Sequence, residues 1–420
     1  MTLVVDFSVI AHKSWHSIFS PNFEPQYKVL GKDEKNQDIL QPWTELEEFS
    51  RNLCMNLFYL KSLYKPDEMI LAMDAPSNWR ADYVKQWYHD RVKVYEQLEG
   101  VEKPTFYVTF DQVQWNITYV SQIDTWVTTK VKVKELFEPS EWDHKVYNYD
   151  EIKDHDVWKL AIEKKLVPYY KGTRKNGNWV AYTPKDEFKA ETARLGLELA
   201  PLLGARAIMV DNAEGDDVVT MSVLDAEYFD PAQECVVVSI DQDLYQLATS
   251  HSNFIYYNPN TRKEIPLRSD VAKLKLAYKI IGGDGSDNIR GISMMDSNKA
   301  MVEVKTDAEG VVKSGKGTVN YVDNIIQPLL TQGKTGADLF APLYRTLEAE
   351  ADIDTLYRNV QLIFLKNIPV DIQEVIKDRL MNDEVLETSM KWEDFGMSGK
   401  DKVSVINKAN NERAEVRGWE

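Results

Sequence analysis

The sequence predicts an α/β protein: a parallel sheet flanked by helices, with a helical C-terminal part and a β-containing insertion. Three observations carry this. Short runs at Leu3-Val4-Val5, Met69–Met73, Ala207–Val210 and Val236–Ile240 are continuously apolar, Ser239 excepted, rather than alternating, as strands covered on both faces are. Amphipathic helical patterns separate them, as crossovers between parallel strands require. Each run ends at a carboxylate: Asp6, Asp74, Asp211 followed by Glu214, Asp216 and Asp217, and Asp241 with Asp243.

The elements follow in order. Residues 2–20 read as a strand and then a loop carrying His12, Lys13 and His16, either solvated or within reach of a substrate. Residues 21–42 are polar, hold three prolines and read as a surface loop. From Thr44 to Tyr64 the positions Leu46, Phe49, Leu53, Leu57, Leu60 and Leu63 recur at helical spacing, with Thr44 as N-cap and Pro66-Asp67 as the stop. After Asp74 the chain runs through APSNWR to Arg80. Val84 to Glu163 breaks the rhythm with alternating runs (Phe106, Val108, Phe110; Trp115, Ile117, Tyr119) and five of the eleven tryptophans. It reads as an inserted subdomain with a core of its own.

Lys164 to Lys175 is the densest basic cluster: Lys164, Lys165, Lys171, Arg174 and Lys175 beside Tyr169 and Tyr170. Lys185–Leu203 reads as a helix closed by Gly204. A further helix opens at Glu214, a short one spans Leu244–Ala248, and Phe254–Tyr257 is a strand. A helix over Lys273–Ile281 leads into GGDGSDNIRGI, which brings Asp284 and Asp287. Residues 304–318 read as a loop. Helices are expected over Val319–Leu330, Leu339–Leu347, Thr355–Leu365 and Asp371–Met381. The tail, Lys391–Glu420, is polar and charged and is expected to be partly disordered. The domains are thus 1–83 with 164–270 (α/β), 84–163 (insertion), 271–390 (helical) and 391–420 (tail).

Composition narrows the class. A chain of 420 residues with 43 % hydrophobic residues can bury a large core. Cys54 and Cys235 lie in apolar runs without metal or redox spacing, which fits a reducing cytoplasm rather than a disulfide scaffold. The N-terminus lacks the pattern of a signal peptide, and no apolar run approaches the roughly 18 residues of a membrane span, so no membrane partner is expected. The formal charge of −17 excludes a generic nucleic-acid coat. It leaves room for a nuclease, whose acidic centre is offset by metals and whose DNA contact is confined to a local basic patch.

The chemistry follows from the carboxylates. In open α/β sheets, ligands bind at the carboxyl ends of the strands. Acids also mark loops and helix N-caps, so no single one of these is diagnostic. Gathered together they must take up protons or be neutralised by cations. Oxygen ligands suit hard cations, Mg²⁺ above all, with Mn²⁺ as substitute, and two such ions a few ångströms apart are a common device for cutting phosphodiesters. Aromatic rings beside cations, as at Tyr169 to Lys175, suit unpaired nucleic acid.

Six stretches occur in an order that resembles the flap endonuclease / 5′-3′ exonuclease family, and within it the ribonuclease H branch of T-even bacteriophages. They are strand-Asp6, Asp74 with Trp79-Arg80, YKGTR ending at Arg174, EGDD ending at Asp217, SIDQD ending at Asp243, and GDGSDN ending at Asn288. The likeness covers residues 1–83 and 164–300, continues more loosely beyond, and omits the insertion. It implies a 5′-nuclease-like (PIN) fold followed by a helix–three-turn–helix element on duplex DNA. It implies a ring of metal ligands at Asp6, Asp74, Glu214, Asp216, Asp217, Asp241, Asp243, Asp284 and Asp287 around two Mg²⁺ ions. It gives Lys171 and Arg174 a catalytic role on the scissile phosphate, and Arg80, Tyr170, Lys171, Arg174 and Lys175 nucleic-acid contacts. The implied partners are branched DNA and RNA/DNA hybrids, with a single-stranded-DNA-binding protein or sliding clamp beside them. The implied state is a monomer in the cytoplasm, the host's if the chain is phage-encoded. After GDGSDNIRGI the chain departs from the family's Gly-rich hairpin and reads SMMDSNKAM.

Two rival readings remain. A Toprim-like metal phosphotransferase also uses a strand-end Asp-x-Asp but has no need of YKGTR. A structure-specific DNA-binding protein with a retired centre has no need of a full carboxylate set.

Overall fold

The computed structural model describes residues 1–20, 27–32, 37–98, 102–110, 113–120, 123, 125–130, 143–164, 166, 185–284, 287, 289–291, 305–306, 312–313 and 350–417. The chain opens with β1 (Thr2–Asp6) and α1 (Phe7–Ser17). The loop expected after residue 6 is therefore a helix. Asp6 caps it, and Phe7, Ile10, Ala11, Ser14 and Trp15 bury one face at helical spacing, a pattern the sequence carried. A hairpin, β2 (Tyr27–Lys32) and β3 (Asp38–Pro42), the second strand exposed, lies where the sequence reads as a loop. Then come α2 (Glu45–Tyr64), begun by a Thr44–Glu47 capping box and ended at left-handed Lys65, and β4 (Glu68–Ala72). The helix α3 (Trp79–Arg91) runs past the expected start of the insertion.

The insertion forms β5 (Lys93–Gln97), β6 (Thr105–Phe110), β7 (Val113–Val120), β8 (Thr125–Lys130), β9 (His144–Tyr147), α4 (Tyr149–Ile152) and α5 (Asp156–Glu163). The chain continues through α6 (Lys185–Leu203), β10 (Arg206–Ile208), α7 (Gly215–Phe229), β11 (Cys235–Val238), a 3-10 turn at Gln242–Thr249, β12 (Phe254–Asn258), β13 (Lys263–Ile265) and α8 (Ser269–Gly282). Three helices close the described chain: α9 (Glu350–Ile363), α10 (Val370–Asn382) and α11 (Gly399–Arg417). The helices expected over Val319–Leu330 and Leu339–Leu347 lie outside the described residues, as does much of the segment that would hold a helix–three-turn–helix element.

The main sheet has the order β10-β4-β1-β11-β12-β13, parallel except for β13. Val5 stands opposite Leu71 and Val238, so three strands finish at one level. Alternate residues face opposite layers. Leu3, Val5, Leu71, Val236 and Val238 pack under α1, α2, α6 and α11. Val4, Ile70, Val237 and Tyr256 pack under α7, the 3-10 turn and α10. Because both faces are covered, the strands read as continuous apolar runs. Ile240 is the exception: the strand ends at Val238, and Ile240 is 44 % exposed.

Two expectations are corrected. The insertion does form an antiparallel sheet, β8-β7-β6-β5-β9, yet among the described residues its core is continuous with the rest of the protein. Val94, Phe106, Val108, Ile117 and Trp158 share one apolar cluster with Leu276 and Ile280 of α8 and Leu356 and Val360 of α9. In the tail, Trp392–Phe395 forms a 3-10 turn and Gly399–Arg417 a helix, where disorder was expected. Phe395, Met397, Val405 and Ala409 pack into the main core, and Arg51 bonds Asp401 at 2.8 Å. Gly396 turns the chain there with φ of +76°, and a Cβ on it would stand 2.1 Å from the Trp43 ring. Among the described residues, no helix is long and apolar enough to cross a membrane.

Candidate active site

The first carboxylate is fixed by three elements. Asp6 follows the last apolar residue of β1, where the strand gives way to α1. Its Oδ1 accepts the Val9 backbone N–H (3.3 Å) and its Oδ2 accepts the Ser239 hydroxyl (2.7 Å). Ser239 Oγ in turn accepts the Asp241 N–H at 3.0 Å, and Asp241 Oδ1 accepts the Asp243 N–H at 2.8 Å, capping the 3-10 turn. One hydroxyl thus joins the ends of β1 and β11. Asp74, beyond β4, accepts the Ser8 hydroxyl and, at 2.7 Å, the Gly215 N–H that begins α7. A Cβ at residue 215 would come within 3.2 Å of that carboxylate, so glycine permits the approach.

The crowding is visible in the proton affinities. Asp6 is pushed up to about 7 by burial and then by the charges of Asp74 and Asp241, against the lowering bonds from Ser239 and Val9. Asp243 is likewise pushed up to about 7, by burial first and then by Asp241 and Asp284, although Lys279 opposes the rise. Carboxylates gathered without enough counter-charge behave in this way.

A second set is already neutralised. Asp217 is fully buried and accepts Arg80 through both oxygens (2.7 and 3.0 Å), the Trp79 indole N–H (3.0 Å) and the Glu214 N–H (3.0 Å). Glu214 shares the same guanidinium at 3.1 Å. Arg80 is 2 % exposed, and its Nε donates to the Leu362 carbonyl in α9. The nucleic-acid contact expected of Arg80 is therefore corrected: it lies beneath the carboxylates as their fixed cation. Asp217, with its acceptor sites taken up, sits behind the others as a support rather than as an open ligand. Asp216 stands beside them, partly exposed at the start of α7.

The third group centres on Lys279, in the last turn of α8. Its ammonium bonds Asp243 and, at 2.8 Å, Asp284. Asp284 and Asp287 are both buried. The Asp243 turn is held from behind: Gln246 donates to the carbonyls of Asp243 (2.9 Å) and Ile363 (3.1 Å) and accepts the Leu365 N–H (3.0 Å).

Asp6, Asp74, Glu214, Asp216, Asp217, Asp241 and Asp243 are thus placed by strand ends and the turns just beyond them, and Asp284 is joined to them through Lys279. Lys171, Arg174, Lys175 and Tyr170 lie outside the described residues. Lys164 pairs with Glu163 at 3.5 Å, half-exposed. Of the N-terminal basic residues, Lys13 donates to the Pro259 carbonyl, and the His12 ring lies 5.1 Å from that of Phe188. Gly215 and Ser239 stand inside the EGDD and SIDQD motifs without a role of their own in the sequence reading, and Ser8 and Lys279 stand outside every motif. Only Ser239, two residues before Asp241, carried a positional signal.

The donor set fits hard divalent cations. Its atoms are all carboxylate oxygens, they raise one another's proton affinity, and an ammonium already bridges two of them. Among the described residues, no three His, Cys, Asp or Glu side chains converge as a ready-made metal cage.

No family model matches the chain, and no curated protein sequence matches it. Solved structures do. The bacteriophage T5 flap endonuclease in complex with DNA and metal ions is 14 % identical, with a TM-score of 0.43 over 97 % of this chain and 99 % of that one. The T5 5′-exonuclease with bound zinc is 13 % identical, with a TM-score of 0.43 over 99 % of both. A further T5 structure, co-crystallised with metal ions, is 12 % identical, with a TM-score of 0.42 over 96 % and 99 %.

Proposed function

We propose that the chain is a Mg²⁺-dependent 5′-nuclease: a 5′-3′ exonuclease and flap endonuclease acting on branched DNA and on RNA primers annealed to DNA, in phage-type replication. One observation carries this reading. Four carboxylates that follow three neighbouring parallel strands, Asp6, Asp74, Asp241 and Asp243, are gathered at one sheet edge, where burial and mutual repulsion push Asp6 and Asp243 up to about 7. A protein has little reason to keep such a group unless cations visit it.

In this reading Asp6, Asp74, Asp216, Asp241, Asp243, Asp284 and Asp287 hold two Mg²⁺ ions, which Mn²⁺ can replace. When bound, the ions supply an activated water and neutralise charge on the departing oxygen. Ser239 and Ser8 hold Asp6 and Asp74 in place, and Arg80 fixes Asp217 and Glu214 behind them. Lys171 and Arg174 stabilise charge on the scissile phosphate, and Tyr170 and Lys175 contact the unpaired strand.

A second reading has one observation in its favour. Lys279 already sits as a cation between Asp243 and Asp284, as it would in a DNA-binding protein that had given up hydrolysis. An end-labelled 5′ flap and a primer hybrid, incubated with and without Mg²⁺, separate the two. The nuclease yields short products only with Mg²⁺. Shifted but uncut substrate with Mg²⁺ present rejects it.

A further inference from the structure

Lys279 is placed with unusual constraint. It projects from the final turn of α8 and is two-thirds buried, its side chain 33 % exposed. Its polar partners among the described residues are two carboxylates from different elements: Asp243 on the turn after β11 and Asp284 just beyond α8. A lysine ammonium is singly charged at neutral pH, and this one sits between groups that the proposed function assigns to a divalent ion.

An ammonium and a divalent ion cannot share one gap between two carboxylates. Their repulsion at a few ångströms stays strong even at an effective dielectric constant of about 20. The lysine stem is flexible and its head strongly hydrated, so it can withdraw to water. Resting on the proposed metal centre, we propose that Lys279 is a built-in counter-ion. Without metal it holds Asp243 and Asp284 together. A divalent cation binding at that pair displaces it towards solvent, and the cost of displacement lowers the site's affinity. The arrangement keeps the acidic edge folded when metal is scarce and makes its loading depend on metal concentration.

The test needs neither DNA nor activity. Mn²⁺ alone is titrated calorimetrically into the full chain, its Lys279→Met variant and its Lys279→Arg variant. In parallel, the labelling rate of Lys279 by an amine-reactive ester is followed by mass spectrometry in the wild type, with EDTA and then with saturating Mn²⁺. The expected results are at least tenfold tighter Mn²⁺ binding in Lys279→Met, near wild-type binding in Lys279→Arg, and severalfold faster labelling with Mn²⁺. Wild-type Mn²⁺ binding with no gain in Lys279→Met, or with unchanged labelling, overturns the counter-ion while leaving the nuclease reading standing. Mn²⁺ binding by Lys279→Met but not by the wild type overturns displacement and makes the lysine a permanent occupant. No binding by any of the three overturns the metal centre itself. Should Lys279→Met fail to fold, the labelling arm decides alone.

Discussion

Arg80 and Asp217 form a two-pronged ion pair, 2.7 and 3.0 Å long, with the carboxylate wholly buried and the guanidinium 2 % exposed. It joins α3 to α7 beneath the acidic edge. Breaking one side of a buried pair strands the other charge, at a cost of about 3–5 kcal/mol. Arg80→Met should destabilise the protein by that amount in urea, with little change in intrinsic Mn²⁺ affinity at concentrations where it stays folded. Adding Asp217→Leu should recover much of the loss. A variant as stable as the wild type would remove Arg80 from its role as fixed cation.

Asp6 gives a pH dependence with a definite sign. Its folded-state value of about 7 lies above the usual 3.8, so between these limits the folded protein holds a proton that the unfolded chain releases. Relative to Asp6→Asn, the metal-free wild type should lose stability as pH rises from about 4 to 7 and hold level above that. Mg²⁺ at pH 8 should restore the loss in the wild type alone. Melting temperatures of both proteins in EDTA, at steps of pH, measure the difference, expected to be a few degrees. A difference constant across the window would mean that Asp6 is not crowded.

The shared core makes the insertion indispensable. Val94, Phe106, Val108, Ile117, Val157 and Trp158 belong to one apolar cluster with Ile280, Leu356 and Val360, and each large apolar side chain returned to water costs about 1.5–3 kcal/mol. Replacing residues 93–163 with a short Gly/Ser linker should give an aggregated or molten product, by circular dichroism and gel filtration. A monodisperse, cooperatively melting deletion would show that the two parts are separable.

Much of this was legible because buried parallel strands leave a plain signature. Leu3–Val5, Met69–Leu71 and Val236–Val238 are apolar on both faces and stop at the acids that form the edge. The helices α2 and α6 announced themselves through Thr44 and Gly204. What escaped notice depended on tertiary partners. The helix α11 has few apolar positions among its charges, and only docking on α2 makes Val405 and Ala409 core residues. The apolar runs of the insertion look the same in sequence whether their core is separate or continuous with α8 and α9. Arg80 followed a motif that suggests substrate contact, and only the fold reveals that Asp217 lies over it. Lys279 carries no sequence signal, because lysine in the last turn of a helix is ordinary.

The most direct measurement of the central claim is single-turnover cleavage of a labelled 5′ flap by the wild type and by the Asp241→Asn/Asp243→Asn double variant, in Mg²⁺, with flap binding measured separately. The account predicts cleavage by the wild type alone, slowed at least a thousandfold in the variant, with flap binding equal or tighter because two charges that repel phosphate are gone. Near-normal cleavage by the double variant, or none by the wild type in either Mg²⁺ or Mn²⁺, would contradict it.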